Sequence, residues 1–239
     1  MDGRTAVVVG GTSGIGLATA RLLSARGATV HVTGRSASRL DALRGPDPEL
    51  ILHQADGTSR QDMDELFGQI GDVDWLVLAL SGGAGAGPLA SLDLGVLRGA
   101  FDAKFWGHLT TVQAALPHIA PNGSITFISA GSARSAIPAT AGLAAVNGAV
   151  EALVKPLAVE LAPIRVNAVS PGVVDTPWWS ALPSETRDAY FASAEKVLPV
   201  RRVATADDVA ESVVLAATNQ NLTGTVIESD GGARLVSLS

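Results

Sequence analysis

Short, continuously apolar runs alternate along the chain with longer segments in which apolar residues recur at helical spacing. The apolar runs predict strands at residues 5–9, 29–33, 49–53, 75–80, 124–129, 165–170 and 224–227. The segments between them predict helices at residues 16–26, 39–43, 60–70, 96–119, 141–161 and 205–218. Strands that are apolar on both faces are typical of a parallel sheet covered on both sides. We therefore expect an α/β fold with a doubly wound, seven-stranded parallel sheet in a three-layer sandwich.

Composition limits the classes of protein that fit this pattern. The chain has 239 residues, 47% of them hydrophobic, and no linker or repeat interrupts it, so we expect a single domain over residues 1–239. It has no cysteine, and its four histidines lack ligand spacing, so neither disulfides nor a metal site are expected. A net charge of −6 without a basic stripe argues against nucleic acid as a partner. The first strand leaves no room for a signal peptide, and no apolar run reaches the roughly 18 residues of a membrane span, so we expect a soluble, cytoplasmic protein.

A glycine-rich turn joins the first strand to the first helix. Glycines at positions 10, 14 and 16 permit positive φ and close backbone approach, and the helix that follows points free N–H groups at the same place. An anion fits there, and the strand–turn–helix context favours a dinucleotide pyrophosphate. The residues assigned to this cofactor site are Gly10, Thr12, Ser13, Gly14, Ile15 and Gly16. A tight turn that binds nothing is the alternative.

The end of the second strand carries Arg35 and Ser36, about 20 residues beyond the glycine turn. At this position a carboxylate accepts hydrogen bonds from the ribose hydroxyls, whereas an arginine donates hydrogen bonds to a 2′-phosphate. The acid is absent and the arginine is present, which predicts a preference for NADP(H); a solvated surface arginine is the alternative. Asp56, just past the third strand, is a candidate partner for the adenine amino group, or else a cap for the helix that follows.

Several motifs together resemble the short-chain dehydrogenase/reductase family over nearly the whole chain. They occupy residues 10–16, 165–172, 207–210 and 230–232. The resemblance implies a Rossmann-like subunit that forms a homodimer or homotetramer through the long helices 96–119 and 141–161. It also implies that the nicotinamide end of the cofactor site is lined by Pro171, Gly172, Val174 and Thr176, with Thr176 meeting the carboxamide. Ser81 and Gly82, in the loop after the fourth strand, are assigned to the same cofactor site.

Members of this family reduce carbonyls with an Asn-Ser-Tyr-Lys tetrad, whose tyrosine donates a proton while hydride reaches the carbonyl carbon. Aligning this chain with the family's helix sets Leu143 at the tyrosine position and Asn147 at the lysine position. The serine position holds Ala130, with Ser129 beside it, and the asparagine position holds Lys104. The chain's one tyrosine is Tyr190, far downstream, so a small shift in register does not restore the tetrad.

Two of these differences are reciprocal, because lysine stands at the asparagine site and asparagine at the lysine site. We hypothesise that Lys104 and Asn147 restore the pair with the partners exchanged, so that Asn147 touches the nicotinamide ribose and Lys104 supplies an ammonium to the pocket. The candidate catalytic residues are therefore Lys104, Asn147 and Ser129. The alternative is that both positions drifted after catalysis was lost, and that Lys104 merely extends to solvent.

The segment 177–200, with two adjacent tryptophans followed by an aromatic pair, predicts a lid that binds a small apolar substrate; packing against a neighbouring subunit is the alternative.

Together, the cofactor motifs and the candidate catalytic residues favour an NADP(H)-dependent oxidoreductase with non-standard proton donation. Two alternatives remain open at this point: a non-redox enzyme, such as a lyase or isomerase, on the same fold, and a catalytically inactive protein that binds the cofactor as a sensor or partner subunit.

Overall fold

The computed structural model describes residues 1–236, which form a central sheet between two layers of helices. The strands are β1 (Thr5–Val9), β2 (Thr29–Gly34), β3 (Ile51–Gln54), β4 (Val73–Leu78), β5 (Ile119–Ile128), β6 (Arg165–Pro171), β7 (Val174–Asp175), β8 (Ala204–Thr205) and β9 (Val226–Ser229). The α-helices are α1 (Gly14–Ala25), α2 (Ala37–Leu43), α3 (Arg60–Ile70), α4 (Leu94–Phe101), α5 (Gly107–Ala115), α6 (Ala141–Glu160), α7 (Ser184–Val197) and α8 (Ala206–Thr218).

The seven predicted strands form one parallel sheet in the order β3-β2-β1-β4-β5-β6-β9, which confirms the predicted fold class. Chain order reverses between β1 and β4, the switch point at which open α/β sheets bind ligands. The short strands β7 and β8 pair separately beyond the end of β6.

Both faces of the sheet are covered, which explains why its strands are apolar rather than alternating. Val7 and Phe127 point to one face and pack in a core that includes residues of α3, α5 and α6. Val8 and Val32 point to the other face, where they pack with residues of α1 and α8. All four side chains are fully buried.

The predicted helix 96–119 is wrong in extent and in continuity. It begins earlier, at Leu94, because the Asp93 side chain accepts hydrogen bonds from the first free N–H groups of α4. A π-helical turn, Asp102–Trp106, separates α4 from α5, and Ile119 already belongs to β5. The wide turn places Lys104 inside the protein, since this residue is buried while Trp106 two positions later is exposed. Such turns are frequent at functional sites.

One helix among the described residues, α6, is long and apolar enough to cross a membrane by length and composition alone. The expectation that no segment reaches this length therefore does not hold for α6. The helix lies against the sheet, with Val150 and Val154 fully buried in the core. A core helix passes the same length and hydropathy test, so α6 is weak evidence for a membrane.

Gly16 is a position where the backbone leaves no room for a side chain. A Cβ there would lie 2.6 Å from the carbonyl oxygen of Gly10. We therefore expect Gly16→Ala to lower the free energy of unfolding by about 1–3 kcal/mol, as overpacking does elsewhere. Urea unfolding measures this loss. Gly68→Ala, on α3 with no atom within 4 Å of the added Cβ, is the control and should raise stability by up to about 1 kcal/mol. Equal stability of the two variants would contradict the crowding at Gly16.

Candidate active site

A cavity of about 640 Å³ opens at the carboxyl ends of the central strands, beside the switch point between β1 and β4. Most residues that the sequence assigned to a site line this one cavity. They are Gly10, Ser13, Gly14, Ile15, Gly16, Ser81, Gly82, Lys104, Ser129, Asn147, Pro171, Gly172, Val174 and Thr176. Loops far apart in the sequence are thus brought together where the fold predicts a ligand.

The glycine turn lines the cavity with backbone atoms because its glycines have no side chains. Gly10 has a φ of 83°, and a Cβ on it would lie 2.8 Å from the carbonyl oxygen of Ala79. Helix α1 begins at Gly14, and its N-cap residue, Ser13, makes no side-chain capping bond. The first N–H groups of α1 therefore remain available to an anion, where the helix dipole also favours negative charge.

The segment at the end of β6 and just after it also lines the cavity, through Pro171, Gly172, Val174 and Thr176. A Cβ on Gly172 would lie 2.7 Å from the carbonyl oxygen of Asp230, so this residue is also confined to glycine. Thr176 faces the glycine turn, since a Cβ on Gly14 would lie 3.4 Å from the Thr176 Cβ. The two motifs predicted to hold the ends of a dinucleotide therefore line the same cavity and approach each other at Gly14 and Thr176.

Four residues assigned to the cofactor do not line this cavity: Thr12, Arg35, Ser36 and Asp56. The Ser36 hydroxyl caps α2 by accepting a hydrogen bond from the N–H of Arg39. The Asp56 carboxylate accepts hydrogen bonds from the N–H and hydroxyl of Thr58, whereas Ser59, not Asp56, caps α3. Arg35 is exposed. The binding roles of these residues stay predictions.

Arg39 is a lining residue that sequence reasoning missed. It lies one turn into α2 and lines the cavity together with Ser13. Within residues 1–236, no carboxylate pairs with its guanidinium. The sequence shows a second arginine four residues after Arg35, and this spacing could have pointed to Arg39 as a further candidate. Only the fold shows which of the two arginines lines the cavity.

Lys104 and Asn147 meet at the floor of the cavity. The Lys104 Nζ donates a hydrogen bond of 2.6 Å to the Asn147 Oδ1 and another of 3.2 Å to the backbone oxygen of Ser129. The Asn147 Nδ2 in turn donates to the Ser132 Oγ at 3.1 Å and to the Leu143 backbone oxygen at 2.9 Å. These donor bonds fix the amide so that its oxygen faces Lys104. The contact is direct, over 43 residues of sequence, and needs no bridging water.

Burial controls the charge of Lys104. Its side chain is only 7% exposed, and the loss of water lowers its pKa from 10.5 to about 8, against a smaller opposing effect from the nearby Glu151 carboxylate. Glu151 accepts a hydrogen bond of 2.8 Å from the Ser129 hydroxyl and forms an ion pair with Arg134. His108 is fully buried one helical turn from Lys104, and burial together with the lysine charge lowers the pKa of this imidazole well below 6.5. Lys104 is therefore mainly a cation at neutral pH, and the charge of the Glu151 carboxylate, which Ser129 and Arg134 hold in place, favours that form.

The outer wall of the cavity is aromatic and apolar. Leu143 lines it one turn before Asn147, and Trp178, Trp179 and Tyr190 line it from the 177–200 segment, which contains a 3₁₀ turn and α7. Trp179 packs against Tyr190 with ring centroids 5.1 Å apart and the ring planes tilted by 34°, and its Nε1 donates to the Val174 backbone oxygen. Burial raises the pKa of Tyr190 above its ordinary value of 10.0. The chain's one tyrosine thus lines the cavity from the 177–200 segment.

Comparison with known proteins identifies the family. The family model for enoyl-(acyl carrier protein) reductase matches residues 9–234. A short-chain dehydrogenase/reductase of Malbranchea aurantiaca, malC, is 31% identical over 254 residues, covering 98% of this chain and 96% of the relative. The chain belongs to the short-chain dehydrogenase/reductase family. Among other relatives of this family, cis-4-hydroxycyclohexanecarboxylate dehydrogenase of Sinomonas cyclohexanicum is 33% identical, with 96% of each chain covered.

Solved short-chain dehydrogenase/reductase structures superpose over almost the whole chain. A small-chain dehydrogenase solved in complex with NADPH shares 36% identity, with a TM-score of 0.87 and coverage of 98% of this chain and all of that one. The MalC reductase/Diels-Alderase of Malbranchea aurantiaca shares 27% identity at the same TM-score, with coverage of 98% of this chain and 97% of that one. The solved structures therefore support both the fold and the family that the sequence motifs predicted.

Proposed function

We propose that this protein is an NADP(H)-dependent oxidoreductase that acts on a small apolar substrate and takes its proton from Lys104 instead of a family tyrosine. The observation that carries the proposal is the buried Lys104–Asn147 pair on the floor of a cleft whose walls fit a dinucleotide. The protein works as a single domain, in the cytoplasm, with residues 177–200 as its lid.

The cleft fits the cofactor because bare glycine backbone lines the turn where a pyrophosphate would lie, and side chains at Gly10 or Gly16 would collide with backbone atoms. The α1 N-terminus would hold the pyrophosphate, Arg35 and Arg39 the 2′-phosphate, and Thr176 the carboxamide. When bound, the cofactor supplies a hydride to an electron-poor carbon. A relative solved with NADPH at 36% identity supports this choice of dinucleotide.

The residues of the chain must then deliver a proton to the substrate oxygen. Leu143 has none to give, and Tyr190 is a weaker acid than an ordinary tyrosine because burial raises its pKa. Lys104, with a pKa of about 8, is about nine-tenths protonated at pH 7 and is close to the optimum for a general acid. Two of its protons are held by Asn147 and Ser129, which leaves the third for the substrate. We therefore assign proton donation to Lys104 and the orientation of its side chain to Asn147.

The substrate would be apolar, because Ile137, Leu143, Val146 and Trp178 line the cavity beside this pair. Ketones fit the proposal, and so do iminium ions and activated alkenes, whose reduction needs no strong acid. Incubation of pure protein with NADPH and a panel of ketones, imines and enones tests it. Oxidation of NADPH with at least one class is the expected result. Tight binding of NADPH without oxidation across the panel would overturn the oxidoreductase assignment and leave a non-redox enzyme or a binding protein.

A second candidate function is a non-redox reaction in the same cavity. The solved MalC relative is a reductase/Diels-Alderase, which supports a second kind of chemistry on this fold. Lys104 would then act as an acid, base or nucleophile while the cofactor serves as a scaffold. Conversion of a substrate without a change in NADPH absorbance would favour this candidate.

The cofactor preference has its own test. Replacing Arg39 or Arg35 with alanine should each lower the ratio of NADPH to NADH affinity by roughly tenfold, because a charge-assisted hydrogen bond to the 2′-phosphate is lost. Arg44→Ala, on the exposed end of α2 where Arg44 pairs with Asp41, is the control and should leave the ratio unchanged. Fluorescence titration measures both affinities. A ratio unchanged in the Arg35 variant would refute its predicted role, and a ratio unchanged in both would refute the arginine basis of the preference.

We also propose a homodimer or homotetramer formed through the helices predicted at 96–119 and 141–161. Apolar side chains on these helices are exposed in the single chain, Trp106 by 55% and Val159 by 81%. Large apolar side chains at this exposure favour burial against another subunit. Light scattering on the purified protein distinguishes a monomer from either oligomer.

A further inference from the structure

The hydrogen bonds around Lys104 fit a neutral amine as well as an ammonium. A neutral amine has two N–H groups and one lone pair. The Asn147 Oδ1 and the Ser129 carbonyl oxygen accept one hydrogen bond each, and neither atom is a donor. Asn147 cannot reverse its amide without breaking its bonds to Ser132 and Leu143. Both N–H groups of the neutral amine are therefore satisfied, and its lone pair is left over.

The remaining position on Nζ has a reactive setting. Lys104 lines the cavity, and within residues 1–236 no third group hydrogen bonds to its Nζ. The cavity wall nearby is apolar, through Leu143 and Val146, and the lysine itself is almost fully buried. Lysines desolvated in apolar pockets are activated as nucleophiles toward carbonyl carbons, because more of the amine is neutral near pH 7.

We propose that Lys104 captures small apolar aldehydes in this cavity as a reversible imine. This activity goes beyond the proposed reduction, because it needs neither the nicotinamide cofactor nor a hydride. The same residue serves both activities in different protonation states: the ammonium donates a proton, and the neutral amine attacks a carbonyl carbon.

The reaction balances without an oxidant or a reductant. The Nζ lone pair forms a bond to the carbonyl carbon, the C=O π pair moves to oxygen, and a proton passes from nitrogen to oxygen to give a carbinolamine. The C–O bond then breaks, the second nitrogen proton leaves with the oxygen as water, and a C=N bond forms. The Ser132 hydroxyl lines the cavity beside the amide of Asn147 and can hydrogen bond to the carbonyl oxygen during the first step.

The scarcity of lysine makes the proposal straightforward to test. The chain has three lysines, and Lys155 and Lys196 are both exposed on helices. The full-length protein is incubated at pH 7.5 with hexanal and sodium cyanoborohydride, without nicotinamide cofactor, and the trapped alkyl group is located by intact mass and peptide mapping. We expect alkylation of Lys104 to be at least about tenfold faster than that of Lys155 or Lys196. The Lys104 rate should rise with pH and level off above about pH 8.

Matched variants separate capture from general labelling. Lys104→Arg, which keeps the positive charge, should remove the fast adduct, whereas Lys155→Arg should keep it. Mapping of the unmodified sequence decides the question even if a variant fails to fold. Labelling of the three lysines at similar rates, or of the exposed ones alone in folded protein, would overturn the proposal. Its failure is distinct from failure of the proposed reduction, because trapping is measured without NADPH and reduction is measured without cyanoborohydride.

Discussion

Replacement of Lys104 by methionine is expected to slow NADPH-dependent reduction by about 10²–10⁴-fold, the usual cost of losing a general acid. Methionine has a similar length and no proton to donate, and it cannot bond to the Asn147 Oδ1. The affinity for NADPH should remain within about twofold, because Lys104 hydrogen bonds to Asn147 and Ser129 and to no residue assigned to the pyrophosphate or the 2′-phosphate. Steady-state rates on the best substrate of the carbonyl panel, together with fluorescence titration of NADPH, measure the two quantities separately.

Two control variants test whether the loss of rate is specific to Lys104. Lys155→Met removes an exposed lysine from the same helix as Asn147 and should leave the rate unchanged. The exchange variant Lys104→Asn with Asn147→Lys keeps one lysine and one asparagine in contact, so it should recover a large part of the activity that each single variant loses. If Lys104→Met reacts as fast as the original protein, Lys104 is not the proton donor, and Tyr190→Phe becomes the decisive variant.

The fold was predictable from the sequence because its signals are local. The central strands β1 and β4 are buried along almost their whole length, so runs such as 6–9 are apolar without interruption, and the glycine turn marks where the first of them ends. The errors fall where local pattern and tertiary structure diverge. Residues 96–119 are helical by period, yet the period does not show the π turn that brings Lys104 into the core. The strand predicted at 75–80 ends at Leu78, because Ala79 and Leu80 turn toward the cavity instead.

Residues of the candidate site could be predicted from the sequence only where a family motif included them. Lys104 and Asn147 were paired through their positions in the family pattern, and the structure shows their side chains in contact. Their surroundings had no such signal, because Arg134, Glu151 and Glu228 belong to three separate elements that only the folded chain joins into an ion-pair chain. His108 carries no motif either, and its position beside Lys104 follows from the register of the π turn. Sequence patterns identify residues that touch a ligand more readily than those that set its electrostatic environment.

A buried lysine also makes the free energy of unfolding depend on pH. The difference between its pKa in the folded and unfolded states sets the direction of that dependence. The pKa of Lys104 is about 8 in the folded protein and 10.5 as an ordinary lysine. Between these two values the unfolded chain binds more protons than the folded chain, so the free energy of unfolding rises with pH. The difference of the two pKa values corresponds to a rise of up to about 3 kcal/mol from pH 8 to pH 10.5. Below pH 8 both states are protonated, and the contribution of Lys104 is a constant loss of stability.

Lys104→Met should remove this dependence and stabilise the protein at pH 7 by about 1–2 kcal/mol, since the oxygens of Asn147 and Ser129 lose a donor and offset part of the gain. Urea unfolding of both proteins at pH 7, 8, 9 and 10 gives the comparison, and the difference between the two curves cancels the titration of groups that do not interact with Lys104. Curves that stay parallel would mean that Lys104 is not desolvated in the folded state. A variant that is more stable yet catalytically slow would identify Lys104 as a residue that costs the fold free energy and serves the chemistry of the cavity.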